Sequence, residues 1–274
     1  MWRLLKEMLK GKTGSNTYKE VRYGDKVLND AKEMANTMNQ YFIDSLELKK
    51  DNYIESRIVR NSKYTNSELK EFKKIDCDSL NKIIQKLKNK SGTEEGLSVE
   101  IIKIAESVAS KKLCELYNKS LEEGIFPSTW KEATVIPVPK VRGTIKIEEF
   151  RPINKLPIYE KILEKIVHKQ LMEYLEENKL FSESQSGFRV NHSCETALQW
   201  VITGWKKVIG EGKIIGAVFL DLRRAFEVVN RDILLEKLER CGIKENVLKW
   251  FRDYLSCRTQ RVKINGILSE ATEV

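Results

Sequence analysis

Apolar positions along the chain follow a helical period in some stretches and a strand period in others, and this alternation predicts the elements. From Asp30 onward, apolar residues recur three and four positions apart, as the buried face of a helix requires. The members of this face are Ala31, Met34, Met38, Tyr41 and Phe42. A polar turn region precedes the helix at residues 10–30, and an irregular polar linker follows at residues 51–68. We therefore predict a mostly helical region with a polar linker over residues 1–70 and a second domain over residues 71–274.

Helices continue in the second domain. Residues 78–90, DSLNKIIQKLKNK, open on an acidic cap position and close on a glycine-containing stretch. A longer helix follows and ends at Gly124. In a third helix, an apolar stripe over residues 162–175 marks a side that faces the core, and His168 beside it reads as a structural or surface residue.

Strand patterns interrupt the helices at three places. Residues 133–140, ATVIPVPK, are rich in β-branched residues but carry two prolines at alternate positions, which favours an edge strand. Residues 214–222 hold an apolar run that predicts a strand buried on both faces, in the centre of a sheet covered by helices. The dipeptide Asn265-Gly266 is the strongest hairpin signal in the chain.

Charge and cysteine content narrow the class of protein. The 274 residues include 49 Lys and Arg against 40 Asp and Glu, a net charge of +9, which fits a polyanionic partner and equally fits a basic solvated surface. Five scattered cysteines and two histidines offer neither a disulfide framework nor the ligand spacing of a zinc site. No apolar run reaches the length of about 18 residues that a membrane span needs. We expect an intracellular protein that is neither secreted nor membrane-bound.

One carboxylate stands out because it ends the predicted buried strand. Asp221 follows the run VFL and precedes Arg223 and Arg224. A carboxylate in such a position is costly unless a basic side chain or a metal ion compensates it. Local chemistry leaves both readings open, a structural ion pair with the arginines or a metal site.

The order of several segments resembles that of a known enzyme family. The stretches GIFPSTWKEATVIPVPK, EEFRPINKLPIYEKILEK, SGFR and VFLDLRRAFEVVN follow one another as they do in reverse transcriptases of non-LTR, LINE-type retrotransposons of the jockey kind. The resemblance extends from about Asn89 to the end of the chain, and the residues before it are similar to the connecting region of those elements. It implies an α+β fold, namely the fingers and part of the palm of a right-hand polymerase, preceded by a mostly helical region.

The resemblance also implies roles for individual residues. Asp221 matches the first of three catalytic carboxylates that bind Mg²⁺ for two-metal nucleotidyl transfer. Phe226 matches the aromatic residue under the sugar of the incoming nucleotide, with plain core packing as the alternative. Lys140 and Arg151 match cations that bind the triphosphate of the dNTP, and Arg189 of SGFR lies close to template and nucleotide. Each basic residue taken alone also fits a solvated surface position.

Several positions depart from the family pattern. The family reads LDLSKAFDTVDH where this chain reads LDLRRAFEVVNR, and Glu95 stands at the acidic position of a G-x-D-G turn. The family's other two catalytic aspartates form an aromatic-x-D-D hairpin, and no Asp-Asp dipeptide occurs in this sequence. We therefore expect the chain to be truncated before that hairpin and not to polymerise DNA by itself.

Two functions remain open at this point. The first is a segment of an RNA-directed DNA polymerase that works on an RNA template, a DNA primer and dNTP in a nuclear or cytoplasmic ribonucleoprotein. The second is a catalytically dead remnant that acts at most as an RNA-binding protein. In either case, an unpaired apolar strand at residues 214–222 predicts self-association.

Overall fold

The computed structural model describes residues 17–47, 65–88, 98–222, 225–226 and 229–274. Over these residues the chain combines helices with a mixed sheet, in agreement with the α+β prediction. The helices are α1 (Ala31–Glu47), α2 (Cys77–Gln85), α3 (Val99–Ile104), α4 (Glu106–Glu123), α5 (Ile158–Glu177), α6 (Cys194–Gly210), α7 (Arg231–Arg240) and α8 (Glu245–Leu255). The strands are β1 (Val21–Tyr23), β2 (Lys26–Leu28), β3 (Glu132–Pro139), β4 (Phe150–Lys155), β5 (Thr259–Ile264), β6 (Ile267–Leu268) and β7 (Thr272–Glu273).

The main sheet has the order β4-β3-β5-β6, and β7 also pairs with β5. β3 runs antiparallel to β4 and parallel to β5, so it is a central strand, and its prediction as an edge strand was wrong. The two prolines are nevertheless compatible with this position. The pairing of β3 with β5 ends at Val135, whereas Pro137 and Pro139 lie further along, where β3 is paired with β4 alone. A proline there removes no hydrogen bond to β5.

Residues 17–47 pack against one face of this sheet. Asp30 caps α1 by accepting a hydrogen bond from the Glu33 backbone (2.8 Å), and the predicted apolar side of α1 is buried. The residues before α1 form a β1–β2 hairpin that the polar pattern did not predict. Together with β3, β4 and β5 they enclose a core made of Val21, Leu28, Met34, Ala35, Met38, Phe42, Val135, Ile147, Phe150, Val262 and Ile264. Residues on both sides of the predicted boundary at residue 70 thus share a core, and the boundary itself stays a prediction.

A larger core joins the helices. The apolar stripe of α5 is buried as predicted, and it packs against α2, α4 and α8. Trp250 of α8 lies at the centre, where it stacks on Tyr254 and meets Phe126 and Phe72 edge to face. α4 ends at Gly124, whose φ of 62° is the left-handed conformation expected of a helix stop. None of the described helices is long and apolar enough to cross a membrane.

The prediction of a buried strand over residues 214–222 was wrong. These residues pair with none of the described strands, and all but the half-buried Ile215 are exposed, with Ile214 at 98% and Phe219 at 87%. α6, just before them, has no buried residue and exposes Trp200. An apolar run becomes a central strand only where neighbouring strands and a covering layer accept it, and the described residues provide neither. We call residues 194–222 the apolar arm.

Candidate nucleotide and nucleic-acid site

Two residues that are predicted to bind the triphosphate, Lys140 and Arg151, lie at one end of the β3–β4 hairpin, on the face of the sheet that points away from α1. This face is here called the outer face. In the β3–β4 ladder, Val138 lies opposite Arg151 and Pro139 lies opposite Phe150. Directly after β3, the Lys140 backbone N–H donates a hydrogen bond to the Glu149 carbonyl (2.7 Å). Because side chains alternate along strands, Lys140 and Arg151 share this face as diagonal neighbours. The Cβ atoms of such neighbours typically lie about 7 Å apart. Both side chains are exposed.

The inner face of the hairpin explains why these cations point outward. Val135 and Phe150 are fully buried against α1, and Ile147, in a short helical turn before β4, is buried with them. Fixing these apolar residues inward sets the register, since a slip by one residue would exchange the two faces. The loop between the strands is held by the Lys140 ammonium, which donates to the Glu148 carbonyl (2.9 Å).

The outer face carries further cations that sequence reasoning missed. Lys155 on β4 lies opposite Thr134, and Thr134 lies beside Arg261 of β5 in the parallel ladder. Lys263 follows two residues later on the same side of β5. Arg261 is bound to Glu132 (3.1 Å). The alternation of side chains in residues 259–264, TQRVKI, together with the Asn-Gly turn, indicates that Arg261 and Lys263 lie on one face of a strand. It does not indicate which strand lies beside it.

Arg189 lies in different surroundings from Lys140 and Arg151, in an ion pair with a helix end. Its guanidinium donates two hydrogen bonds to Glu176 at the end of α5, from Nε to Oε1 (2.9 Å) and from Nη2 to Oε2 (2.7 Å). It also lies over the Phe181 ring, 5.2 Å from the centroid. The hydrogen bonds lower the pKa of the Glu176 carboxyl. Arg189 therefore anchors the loop between α5 and α6, and its nucleotide contact stays a prediction.

Phe226 is exposed to 79%, which contradicts the alternative of plain core packing. Its ring meets that of Phe188 edge to face, with 5.8 Å between centroids. Phe188 is the residue before Arg189 in the SGFR stretch, so the structure joins two segments that were read separately from the sequence. Phe188 is itself 81% exposed, and the sequence pattern did not single it out. The two rings form an open aromatic pair.

Asp221 does not lie in an assembled metal site. It occupies the exposed segment of residues 213–222, and the described residues contain no cluster of three or more His, Cys, Asp or Glu side chains that could hold a metal ion. Two Mg²⁺ ions need several carboxylate oxygens, so the donors present among the described residues do not fit that pair of ions. Arg223, Arg224 and Glu95 lie outside the described residues, and the ion-pair reading of Asp221 stays open.

Comparison with known proteins identifies the segment that holds the outer face and Asp221. Residues 138–272 match the family model "Reverse transcriptase (RNA-dependent DNA polymerase)". These residues form part of a reverse transcriptase domain. The match includes the predicted site residues, from Lys140 through Phe226.

Relatives of the reverse transcriptase segment come from mobile elements. The chain is 27% identical over 197 residues to the "RNA-directed DNA polymerase from mobile element jockey" of Drosophila melanogaster, an alignment covering 71% of this chain and 21% of that protein. It is 26% identical over 165 residues to the protein of the same description from Drosophila funebris, covering 60% and 18%. It is 27% identical over 129 residues to the "Probable RNA-directed DNA polymerase from transposon BS" of Drosophila melanogaster, covering 47% and 14%. The alignments thus span about a fifth or less of these relatives.

Proposed function

We propose that this chain is the nucleotide-binding segment of an RNA-directed DNA polymerase of a non-LTR retrotransposon. Its outer face would bind the triphosphate of a dNTP that is added to a DNA primer on an RNA template. The observation that carries this proposal is that Lys140, directly after β3, and Arg151 of β4 are both exposed at the same end of the β3–β4 hairpin, within the residues that match the family. In a right-hand polymerase this hairpin would belong to the fingers, with Asp221 in the palm.

The chemistry of the outer face suits a polyphosphate. Arginine can donate two parallel hydrogen bonds to phosphate oxygens, and a lysine ammonium adds a mobile point charge. A bound triphosphate would compete with the Glu148 carbonyl for the Lys140 ammonium. Phe226 and Phe188 offer aromatic surface on which a sugar or base can pack.

Nucleotidyl transfer requires more carboxylates than Asp221 alone provides. Asp221 is a single carboxylate, and an in-line transfer in this family uses Mg²⁺ held by several. We therefore propose that this chain binds nucleotide and nucleic acid but does not by itself transfer a nucleotide. Further carboxylates would have to come from other residues of a longer polypeptide.

A triphosphate-binding assay tests the proposal. The affinity for a fluorescent dNTP, measured at low salt without divalent metal, should fall at least about tenfold in the Lys140→Gln/Arg151→Gln double variant, because two charge-assisted contacts are lost. Lys111→Gln/Lys237→Gln removes the same charge from exposed positions on α4 and α7 and should leave the affinity within about twofold. Equal losses of affinity in both variants would mean that dNTP binding depends on the overall surface charge and not on the outer face.

A second candidate is supported by the lone carboxylate at the site. A remnant without the remaining catalytic acids would keep the basic surface and act at most as an RNA-binding protein. Both candidates act inside the cell, in a nuclear or cytoplasmic ribonucleoprotein. They differ in dNTP binding, which the remnant does not need and the polymerase segment does.

A further inference from the structure

A second basic surface lies away from the outer face, in a groove between α2 and α5. It encloses about 390 Å³ and is lined by five lysines, here called the lysine groove: Lys73, Lys74, Lys82, Lys86 and Lys169. Four of the five precede the residues that match the family. Lys169 lies about 16 Å along α5 from Ile158, the first residue of this helix, which follows β4 after two residues, so the groove is a separate site.

The backbone of the groove is held in place before any ligand binds. Gln170 of α5 accepts a hydrogen bond from the Lys73 backbone (2.7 Å) and donates one to the Lys73 carbonyl (3.0 Å). Asp76 caps α2 by accepting from Ser79, through its backbone (2.7 Å) and its hydroxyl (2.8 Å). These bonds lower the pKa of Asp76. Leu80 and Ile84 anchor the other side of α2 in the core.

The lining of the groove carries a net positive charge. Its lining contains two carboxylates, Asp76, which is engaged as the helix cap, and Glu173, which lies 3.8 Å from Lys169. Lys74 pairs with Glu122. Over the part of the chain that the structure describes, Lys73, Lys82 and Lys86 form no ion pair. Like charges gathered in a concave surface focus a positive potential, which favours an anionic ligand that can displace water from several of them at once.

The floor of the groove is apolar, formed by Ile75, Ile83 and Ile166. A strip of aliphatic side chains flanked by ammonium groups suits a sugar-phosphate chain, with phosphates at the rim and sugars over the floor. The lining contains no aromatic side chain on which bases would stack, so binding through this groove should be insensitive to sequence. A volume of about 390 Å³ is that of a small-ligand pocket, so we expect the groove to hold a short stretch of one strand.

We infer that the lysine groove binds the phosphate backbone of single-stranded RNA, without sequence preference. This inference rests on the proposed function, because it takes the RNA to be the template of the polymerase segment or the transcript held by the remnant. It adds a contact outside the matched residues, made by the segment around α2. RNA held there would be bound independently of the triphosphate on the outer face.

Salt-dependent RNA binding tests the inference. The probe is a labelled single-stranded RNA of about 15 nucleotides, long enough to fill a site of this kind, with fluorescence anisotropy measured over a range of salt concentrations. Lys73→Gln/Lys82→Gln/Lys86→Gln should weaken binding at least about tenfold and flatten the slope of log K against log salt by about 2, since each lost phosphate contact on a single strand contributes about 0.7. The control variant Lys19→Gln/Lys111→Gln/Lys237→Gln removes the same charge from exposed positions outside the groove.

The outcomes separate this inference from the proposed function. If the unchanged protein binds RNA and both triple variants lose the same affinity, the groove is not the site, while the proposed function stands. If the unchanged protein binds no RNA, the inference fails together with the RNA part of the proposed function. Equal binding of a duplex probe, with equal loss in the groove variant, would overturn the assignment to a single strand. Thermal melting of each variant shows that the fold is kept, and dNTP binding should be unchanged in the groove variant.

Discussion

The helical core and the apolar arm contain similar side chains in opposite surroundings. Trp250 in the core is 1% exposed and touches aromatic rings on several sides, whereas Trp200 in the arm is 68% exposed. The core is closed because α2, α4, α5 and α8 each bring an apolar side to it, while no described element covers α6 or residues 214–222. Apolar content alone therefore does not decide burial, and an element needs a partner that accepts its apolar side.

Removing an aromatic side chain gives the largest contrast between the two regions. Trp250→Ala should lower the free energy of unfolding by about 3–5 kcal/mol, because it opens a cavity among four rings and leaves the Ser120 hydroxyl without the indole N–H that it accepts (3.2 Å). Trp200→Ala should change it by less than about 0.5 kcal/mol. Chemical denaturation measures both. Similar losses at the two sites would mean that the arm is packed as tightly as the core.

A buried carboxyl in the core should make stability depend on pH. Glu160 is fully buried and bound to Arg258 (2.5 Å), but one of its oxygens has no hydrogen-bond partner, and desolvation raises its pKa to about 7 despite the arginine. Because the folded-state pKa lies above the ordinary value of 4.5, this contribution to stability is complete below pH 4.5 and is lost as pH rises to about 7, a total of about 3 kcal/mol.

Glu160→Gln tests this directly, since glutamine keeps the shape but cannot ionise. The unfolding free energies of both proteins, measured from about pH 3 to about pH 9, should have the same slope against pH below pH 4.5 and above about pH 7, and different slopes between these values. A parallel pH dependence in the two proteins would show that Glu160 is ionised throughout.

These two regions also show what could be predicted from sequence. The buried side of α1, the stripe of α5 and the Asn-Gly turn were predicted correctly, because each depends on local periodicity or turn chemistry. The central position of β3 and the exposure of residues 214–222 depend on which strands lie alongside, and one chain's pattern does not contain that information.

The candidate site also contains features that the local sequence predicts and features that depend on the fold. Lys140 and Arg151 lie close in the sequence on either side of one hairpin, so their position at the same end of the hairpin follows from strand pairing. Arg189 was matched by motif, but its partner Glu176 belongs to a helix whose end could be located only from the fold. The contact of Phe226 with Phe188 joins segments far apart in the chain, and no local signal predicts it.

The smallest effect on unfolding is expected in the arm, where a change should instead alter association. Phe219→Asp/Leu220→Asp replaces two residues that are each 87% exposed, so the unfolding free energy should change by less than about 0.5 kcal/mol. The unchanged protein should self-associate through this apolar surface, and the variant should sediment as a monomer. A monomeric unchanged protein in analytical ultracentrifugation would refute the prediction.

Our central proposal is that this segment binds nucleotide but does not by itself transfer one, because Asp221 alone cannot hold two Mg²⁺ ions. A primer-extension assay on a homopolymer template, with magnesium or manganese, tests it most directly. We predict no incorporation by this chain, although it binds dNTP. Incorporation that disappears in Asp221→Ala would contradict the claim and would mean that the carboxylates of this chain suffice for catalysis.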